Sequence, residues 1–143
     1  MTGKSTAATV GLAFGAFYTV LGVVGFLVTG FGGLTAESGD ALLGISLNPF
    51  HNIAHLGIGA FLLIMCSQKN TPAAEGAVMG VGLFYVVAFV IGVIGAENLS
   101  ILNLTSSDEL GHFFHLLSGV VLLTIGLMSS AQTHSQMKRR GLA

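Results

Sequence analysis

Four long apolar stretches dominate the chain and are separated by short polar segments. They cover approximately residues 7–32, 48–67, 73–96 and 108–130. At a rise of 1.5 Å per residue, a helix of about 20 residues crosses the roughly 30 Å hydrocarbon core of a bilayer. The pattern therefore predicts an all-α fold, a four-transmembrane-helix bundle in one domain over residues 1–143. Residues 131–143 are polar and basic, and we expect a mobile tail after a fourth helix that ends near Ser130.

Typical capping residues mark the beginnings of three of these helices. Asn48 and Thr71 each stand directly before a proline. A side-chain oxygen at the cap accepts a free backbone N–H, and proline is well tolerated at the first helical position. Ser106, with Glu109 three residues later, resembles a capping box. The second, third and fourth helices are therefore predicted to begin close to these residues.

The composition points to an integral membrane protein. Of the 143 residues, 52% are hydrophobic and only 8% are charged, whereas soluble domains carry roughly 25% charged residues. Twenty-one glycines are also present, and small residues allow membrane helices to pack closely. Cys66 is the single cysteine, which excludes an internal disulfide. We expect the lipid bilayer to surround the protein, and we expect no nucleic-acid partner.

The distribution of charge predicts the topology. With four spans, all the basic residues fall on one side, namely Lys4, Lys69, Lys138, Arg139 and Arg140. Five of the six acidic residues fall on the other side, namely Glu37, Asp40, Glu97, Asp108 and Glu109. Glu75 is the exception. Positive residues favour the cytoplasmic side, so both termini are predicted to be cytoplasmic, or stromal in a thylakoid.

The first two helices resemble the last two. Segments 17–25 and 84–92 share the pattern Phe-Tyr-x-Val with a glycine at the same later position. Segments 48–59 and 108–119 share, in register, a polar first residue, a His-Leu pair and a final glycine. Each unit has two spans, so the copies keep the same orientation in the membrane. The chain is therefore predicted to consist of two parallel two-helix repeats.

Polar residues unusual for membrane helices cluster in the first turns of the second and fourth helices. At about 100° per residue, one stripe of the second helix carries Asn48, Asn52, His55 and Gly59, with His51 at its flank. The matching stripe of the fourth helix carries Asp108, His112, His115 and Gly119. If the stripes face each other, these polar groups converge near the outer face, and the two glycines leave space in front of His55 and His115.

Three roles are open for this cluster. The polar side chains could hold the helices together by hydrogen bonds. Histidines on two helices could instead be axial ligands of a tetrapyrrole, either haem iron or the magnesium of chlorophyll. A divalent metal is the third alternative, because His51/His55 and His112/His115 have chelating spacings and Asp108 could complete the set. The sequence leaves the identity of any metal unknown.

The motif Asn-Pro-x-His-Asn-x-x-His-Leu-x-x-Gly at 48–59, with the related segment 108–119 and four spans, resembles a family. It is an uncharacterised family of small four-helix membrane proteins of bacteria and cyanobacteria, known as a domain of unknown function. The likeness covers about residues 8–130. The family pattern matches His51, Asn52, His55 and His115 and implies the fold and topology, but no activity.

The sequence as a whole favours a non-catalytic role. We expect a small accessory or scaffold subunit, whose partners would be other membrane subunits of a larger respiratory or photosynthetic complex. The polar cluster near the outer face would be its site. A membrane subunit that binds haem, chlorophyll or a divalent metal is the alternative. An enzyme or transporter would require a deep polar path, which the apolar spans do not offer.

Overall fold

The computed structural model describes residues 4–35, 41–94 and 109–142. This part of the chain forms four helices, and all four are long and apolar enough to cross a membrane. They are α1 (Thr6–Thr29), α2 (Pro49–Ser67), α3 (Thr71–Ile94) and α4 (Glu109–Arg139). The prediction of an all-helical integral membrane protein with four candidate spans is confirmed.

The beginnings of α2 and α3 follow from local capping, with one correction to the sequence prediction. Ser106, the predicted cap of the fourth helix, lies outside the described residues. Asn48 caps α2 as predicted, since its side-chain oxygen accepts the His51 N–H at 2.8 Å. At α3 the cap is Asn70, whose side-chain oxygen accepts the Ala73 N–H at 3.2 Å. Thr71 was the predicted cap, but it already lies inside the helix. The side-chain oxygen of Asn70, one position earlier, accepts the free Ala73 N–H, so the helix starts at Thr71, before the proline.

The ends of the first and fourth helices differ from the predicted ones, while α2 ends at Ser67 as predicted. The first span was expected to reach residue 32, but α1 ends at Thr29, because Gly30 has a φ of 65° and its N–H bonds to the Phe26 carbonyl at 2.9 Å. The fourth helix was expected to end near Ser130, but α4 continues to Arg139. Residues 131–139 are therefore helical rather than part of a separate tail.

The end of α4 is a left-handed glycine turn. Gly141 has a φ of 69°, and the Leu142 N–H bonds to the Met137 carbonyl at 3.0 Å. This closure satisfies the last carbonyls of the helix in the way typical of a Schellman motif. A glycine that follows a basic last turn was the sequence signal for this helix end. The polar composition of residues 131–139 instead suggested a tail outside the helix.

Close packing of backbones joins the helices into two antiparallel pairs, α1 with α2 and α3 with α4. A Cβ atom on Gly59 of α2 would lie 2.8 Å from the Gly15 carbonyl oxygen of α1. A Cβ atom on Gly119 of α4 would lie 3.0 Å from the Gly82 carbonyl oxygen of α3. Gly59 and Gly119 thus serve helix contact, and the expectation that they leave space in front of the histidines is wrong.

Large apolar side chains cover the outside of the bundle, while small residues and a few large ones fill its centre. Leu27, Ile64, Val93 and Leu127, one from each helix, are all more than half exposed. Such apolar helices fit a lipid bilayer, because a helix that faces lipid satisfies its backbone polar groups internally and needs no polar side chains on its surface. The chain is accordingly an integral membrane protein.

A short hairpin covers the end of the bundle at which α2 and α4 begin. Its strands β1 (Ala41–Leu42) and β2 (Ile45–Ser46) pair in antiparallel register. Leu43 and Gly44 form the turn with φ values of 55° and 85°, the left-handed pair typical of tight hairpins. The sequence predicted only a loop here. We call this end of the bundle the hairpin end, and the opposite one, which carries Lys4 and Arg140, the terminal end.

Candidate functional site

Three buried histidines meet inside the bundle near the hairpin end. His51 and His55 lie one turn apart on α2, and their ring centroids are 4.5 Å apart. His115 comes from α4, with its ring centroid 6.0 Å from that of His51. One potential ligand atom from each ring lies within 4.8 Å of the other two. All three side chains are at most 6% exposed. We call these three residues the histidine cluster.

Two tyrosines close the cluster on its deeper side. Tyr18 of α1 and Tyr85 of α3 stack with ring centroids 4.9 Å apart. Tyr18 lies 5.5 Å from the His55 ring, and Tyr85 lies 5.5 Å from the His115 ring. Five aromatic rings from all four helices therefore form a closed circle of ring contacts.

One of the two tyrosines also links two helices by a hydrogen bond. The Tyr18 hydroxyl donates to the Ser118 hydroxyl of α4 at 2.6 Å. Sequence reasoning missed that both tyrosines contact the histidines. The signal that could have indicated this contact was their equivalent position in the repeated segments 17–25 and 84–92.

A small cavity adjoins the histidine cluster. Its volume is about 20 Å³, and it is lined by the three histidines, by Tyr85 and by apolar side chains such as Ala54 and Phe84. A water molecule needs roughly 10–15 Å³ measured in this way. The cavity thus has room for one water molecule or one metal ion. Its apolar side lies between α2 and α3.

Two imidazole nitrogens of the cluster lack a hydrogen-bond partner within the described structure. These atoms are Nδ1 of His55 and Nδ1 of His115, both fully buried. An unsatisfied buried polar atom costs about 1–3 kcal/mol. A ligand in the adjoining cavity that accepts an imidazole lone pair would remove this cost.

The geometry of the cluster fits a metal ion. Three nitrogens that bind one ion at about 2.0–2.1 Å lie about 3.4 Å apart in tetrahedral geometry. The three ligand atoms are within 4.8 Å of one another. Small rotations of the rings towards the cavity would therefore bring them to bonding distance. Imidazole ligands suit zinc, copper, iron and nickel.

The other predicted site residues have separate environments. Asn48 caps α2, and the Asn52 side-chain amide donates to the Thr29 hydroxyl of α1 at 2.8 Å. His112 is buried against Gly92 of α3 and lies outside the group of ligand atoms. Asp108 lies outside the described residues. Of the six predicted site residues that the structure describes, it thus brings three together.

A second polar feature lies at the terminal end. Glu75, the exception in the charge pattern, is buried in α3, where its carboxyl Oε1 accepts hydrogen bonds from Ser129 at 2.8 Å and Thr133 at 2.7 Å. Both donors belong to α4 and also line a polar cavity of about 450 Å³ that includes Lys4 and Arg140. Glu75 therefore ties the continuation of α4 to α3.

Comparison with known proteins bears on the family alone. The sequence profile of a family described as a domain of unknown function, DUF4383, matches residues 8–128. The chain belongs to this family. The expected resemblance to an uncharacterised family is confirmed, and it carries no activity with it. The chain has no significant match among curated proteins or solved structures.

Proposed function

We propose that this DUF4383 protein is a membrane protein that holds one transition-metal ion in its histidine cluster. His51, His55 and His115 would be the ligands, and the tyrosine pair would keep their rings in place. The supporting observation is that three buried imidazoles offer ligand atoms within 4.8 Å of one another beside a cavity of about 20 Å³. Such a cluster in an apolar span is costly unless its members are partnered.

The size of the cavity favours a metal ion over a tetrapyrrole at this place. Pockets for flat organic ligands measure about 300 Å³ or more, while the cavity beside the cluster measures about 20 Å³. The five rings also contact one another directly, so a macrocycle would have to separate them. We therefore do not assign haem or chlorophyll to this cavity.

Metal analysis of the full-length protein in detergent tests the proposal. The wild-type chain should bind about one equivalent of metal, and the His55→Gln/His115→Gln variant should lose most of it because two of three ligands are gone. His134→Gln is the matched control, since His134 is an exposed histidine of α4. Retention of stoichiometric metal by the double variant, or absence of metal from the wild type after exposure to zinc, copper and iron, would overturn the proposal. Circular dichroism would verify that each variant keeps its helices.

We also propose that the chain consists of two parallel two-helix repeats related by an axis along the membrane normal. The equivalent contacts of the two helix pairs support it: Gly59 meets α1 at Gly15, and Gly119 meets α3 at Gly82. The stacking of Tyr18 on Tyr85 is the contact expected of equivalent residues beside such an axis.

We propose, in addition, that both termini are cytoplasmic. The Lys4 ammonium donates to the carbonyls of Cys66 and Ser67 at 3.0 Å each, which brings the start of α1 to the end of α2. Arg140 and Thr71 line the same cavity as Lys4. The basic residues thus share the terminal end, and the positive-inside rule assigns that end to the cytoplasm.

The accessory role expected from the sequence is a second proposal. A protein that holds an ion without a catalytic apparatus could serve as a subunit of a larger respiratory or photosynthetic complex. The broad apolar outer surface is compatible with neighbouring membrane subunits as well as with lipid. Co-purification with such a complex in mild detergent, from a plasma membrane or a thylakoid, is the test. A protein that purifies alone under those conditions would contradict it.

A further inference from the structure

We infer that the ion bound by the histidine cluster is cuprous copper, Cu(I), rather than a divalent metal. This inference rests on the proposed metal-binding function and names the ligand of that site. Three properties of the site carry it: its charge, its number of ligands and its apolar surroundings.

The ligands of the site bring no negative charge. All three are imidazoles, and no carboxylate lines the cavity within the described part of the chain. Glu75 is committed to Ser129 and Thr133 of α4 at the terminal end. The cost of moving an ion out of water rises with the square of its charge, so a divalent ion costs about four times as much as a monovalent one. A site without a negative ligand therefore leaves more uncompensated charge buried with a divalent ion than with a monovalent one.

The number of ligands points the same way. The cavity of about 20 Å³ is little larger than the space that one water molecule needs, so an ion bound there leaves little space for a water ligand. Zinc almost always takes four ligands, with water in the fourth position where the protein supplies three. Cu(I) has a filled d shell and is stable with three nitrogen ligands in a plane. Three imidazoles with little space for a water ligand therefore suit Cu(I) better than zinc.

The surroundings favour the lower oxidation state as well. Ala54, Ile58 and Phe84 form the apolar side of the cavity, and stacked tyrosines lie beneath the rings. An apolar shell raises the reduction potential of a copper site, because it solvates the more highly charged Cu(II) poorly. Bound copper should accordingly resist oxidation by air.

Competition titrations on the full-length protein in lipid nanodiscs test the inference. Under anaerobic conditions Cu(I) is titrated against a chromogenic chelator, while Zn(II) and Cu(II) are titrated separately. We expect the dissociation constant for Cu(I) to be at least about a hundredfold below those for the two divalent ions, given the charge penalty. X-ray absorption should show Cu(I) with three nitrogen ligands. The His134→Gln control should retain these values.

The outcomes separate this inference from the proposed function. Zn(II) or Cu(II) bound as tightly as Cu(I), with loss in the His55→Gln/His115→Gln variant, would overturn the inference and leave the metal site standing. Absence of any metal would overturn both. Cu(I) binding that survives in the double variant would also overturn both, because the ion would then lie elsewhere.

Two substitutions test the charge argument directly. Ala54 lines the cavity, so Ala54→Asp should supply a negative charge and a fourth ligand. It should strengthen Zn(II) binding about tenfold or more relative to Ala54→Asn, the neutral variant of the same shape. Equal Zn(II) binding by the two variants would contradict the argument. Weaker Zn(II) binding by Asp108→Asn than by the wild type would contradict it too, since Asp108 would then be contributing charge to the site.

Discussion

Several glycines lie where two helices touch, and the group packed against each glycine is either a side chain or the backbone of the neighbouring helix. The side chain of Asn52 lies against Gly25, and the ring of His112 lies against Gly92, where a Cβ atom would overlap them in both places. At Gly59 the opposing group is the backbone of α1 itself, with the Thr19 nitrogen 2.6 Å from a notional Cβ atom. A backbone cannot rotate away as a side chain can, so the cost of a methyl group differs between these sites.

Replacement of Gly59 by alanine should therefore destabilise the protein. The added methyl group would push α1 from α2, and overpacking of this kind costs about 1–3 kcal/mol. Gly57 of the same helix is the matched control, because nothing lies within 4 Å of its notional Cβ atom. Gly57→Ala should change the free energy of unfolding by no more than about 1 kcal/mol, in the stabilising direction. Denaturation with sodium dodecyl sulfate in mixed micelles measures both, and equal effects would refute the contact.

At the scale of helices, the chain is two tight pairs held together by a few polar links. Packing of α1 on α2 and of α3 on α4 is extensive, whereas contact between the pairs is sparser. The stacked tyrosines and the bond from Tyr18 to Ser118 join α1 to the second pair. Glu75, by contrast, strengthens the second pair at its terminal end through α4. Polar groups in such positions specify which helices associate, since lipid offers them no alternative partner.

The double replacement Ser129→Ala/Thr133→Val should loosen the end of α4. It removes both hydroxyl donors of the Glu75 carboxyl group, and loss of hydrogen bonds to a buried group costs about 1–3 kcal/mol. Amide exchange of residues 131–139 should speed up more than that of α2.

Ser135→Ala is the control, because Ser135 is exposed on the same helix. It should leave exchange and unfolding unchanged within about 0.5 kcal/mol. If the double variant were as stable as this control, Glu75 would not tie the two helices together.

At the scale of the whole molecule, the two ends of the bundle carry different residues, and this difference bears on its orientation in the membrane. The hairpin end holds the histidine cluster, and the terminal end gathers the basic residues. If both termini are cytoplasmic, as we propose from the positive-inside rule, the cluster lies near the outer face. An ion supplied from outside the cell, or from the thylakoid lumen, would then have the shorter path to the site.

Thiol labelling tests this orientation. In a Cys66→Ala background, Leu43→Cys places a thiol in the hairpin turn, where the native side chain is 82% exposed. Gln68→Cys places one in the exposed turn between α2 and α3. A membrane-impermeant maleimide should label the first variant in intact cells and the second only after permeabilisation. The reverse pattern would place both termini outside.

The class of the protein, its four candidate spans and its family could all be predicted from the amino acids alone. Long apolar runs have no other stable arrangement in a membrane than helices, and Asn48 marked the beginning of α2 by a local hydrogen bond. The histidines were also visible, because polar residues in an apolar run stand out. The end of α4 could not be predicted from the sequence, because its polar turns are stabilised by Glu75 of another helix.

Which polar residues contact one another depends on the tertiary structure. Periodicity places His55 and His112 on a face of their own helix, but it cannot say how far each helix is rotated towards its neighbours. Contacts at Gly59 and Gly92 fix that rotation. His51, His55 and His115 consequently converge beside Tyr85, while His112 lies against α3. The volume left between the rings, which depends on packing alone, is what separates a site for an ion from a site for a macrocycle.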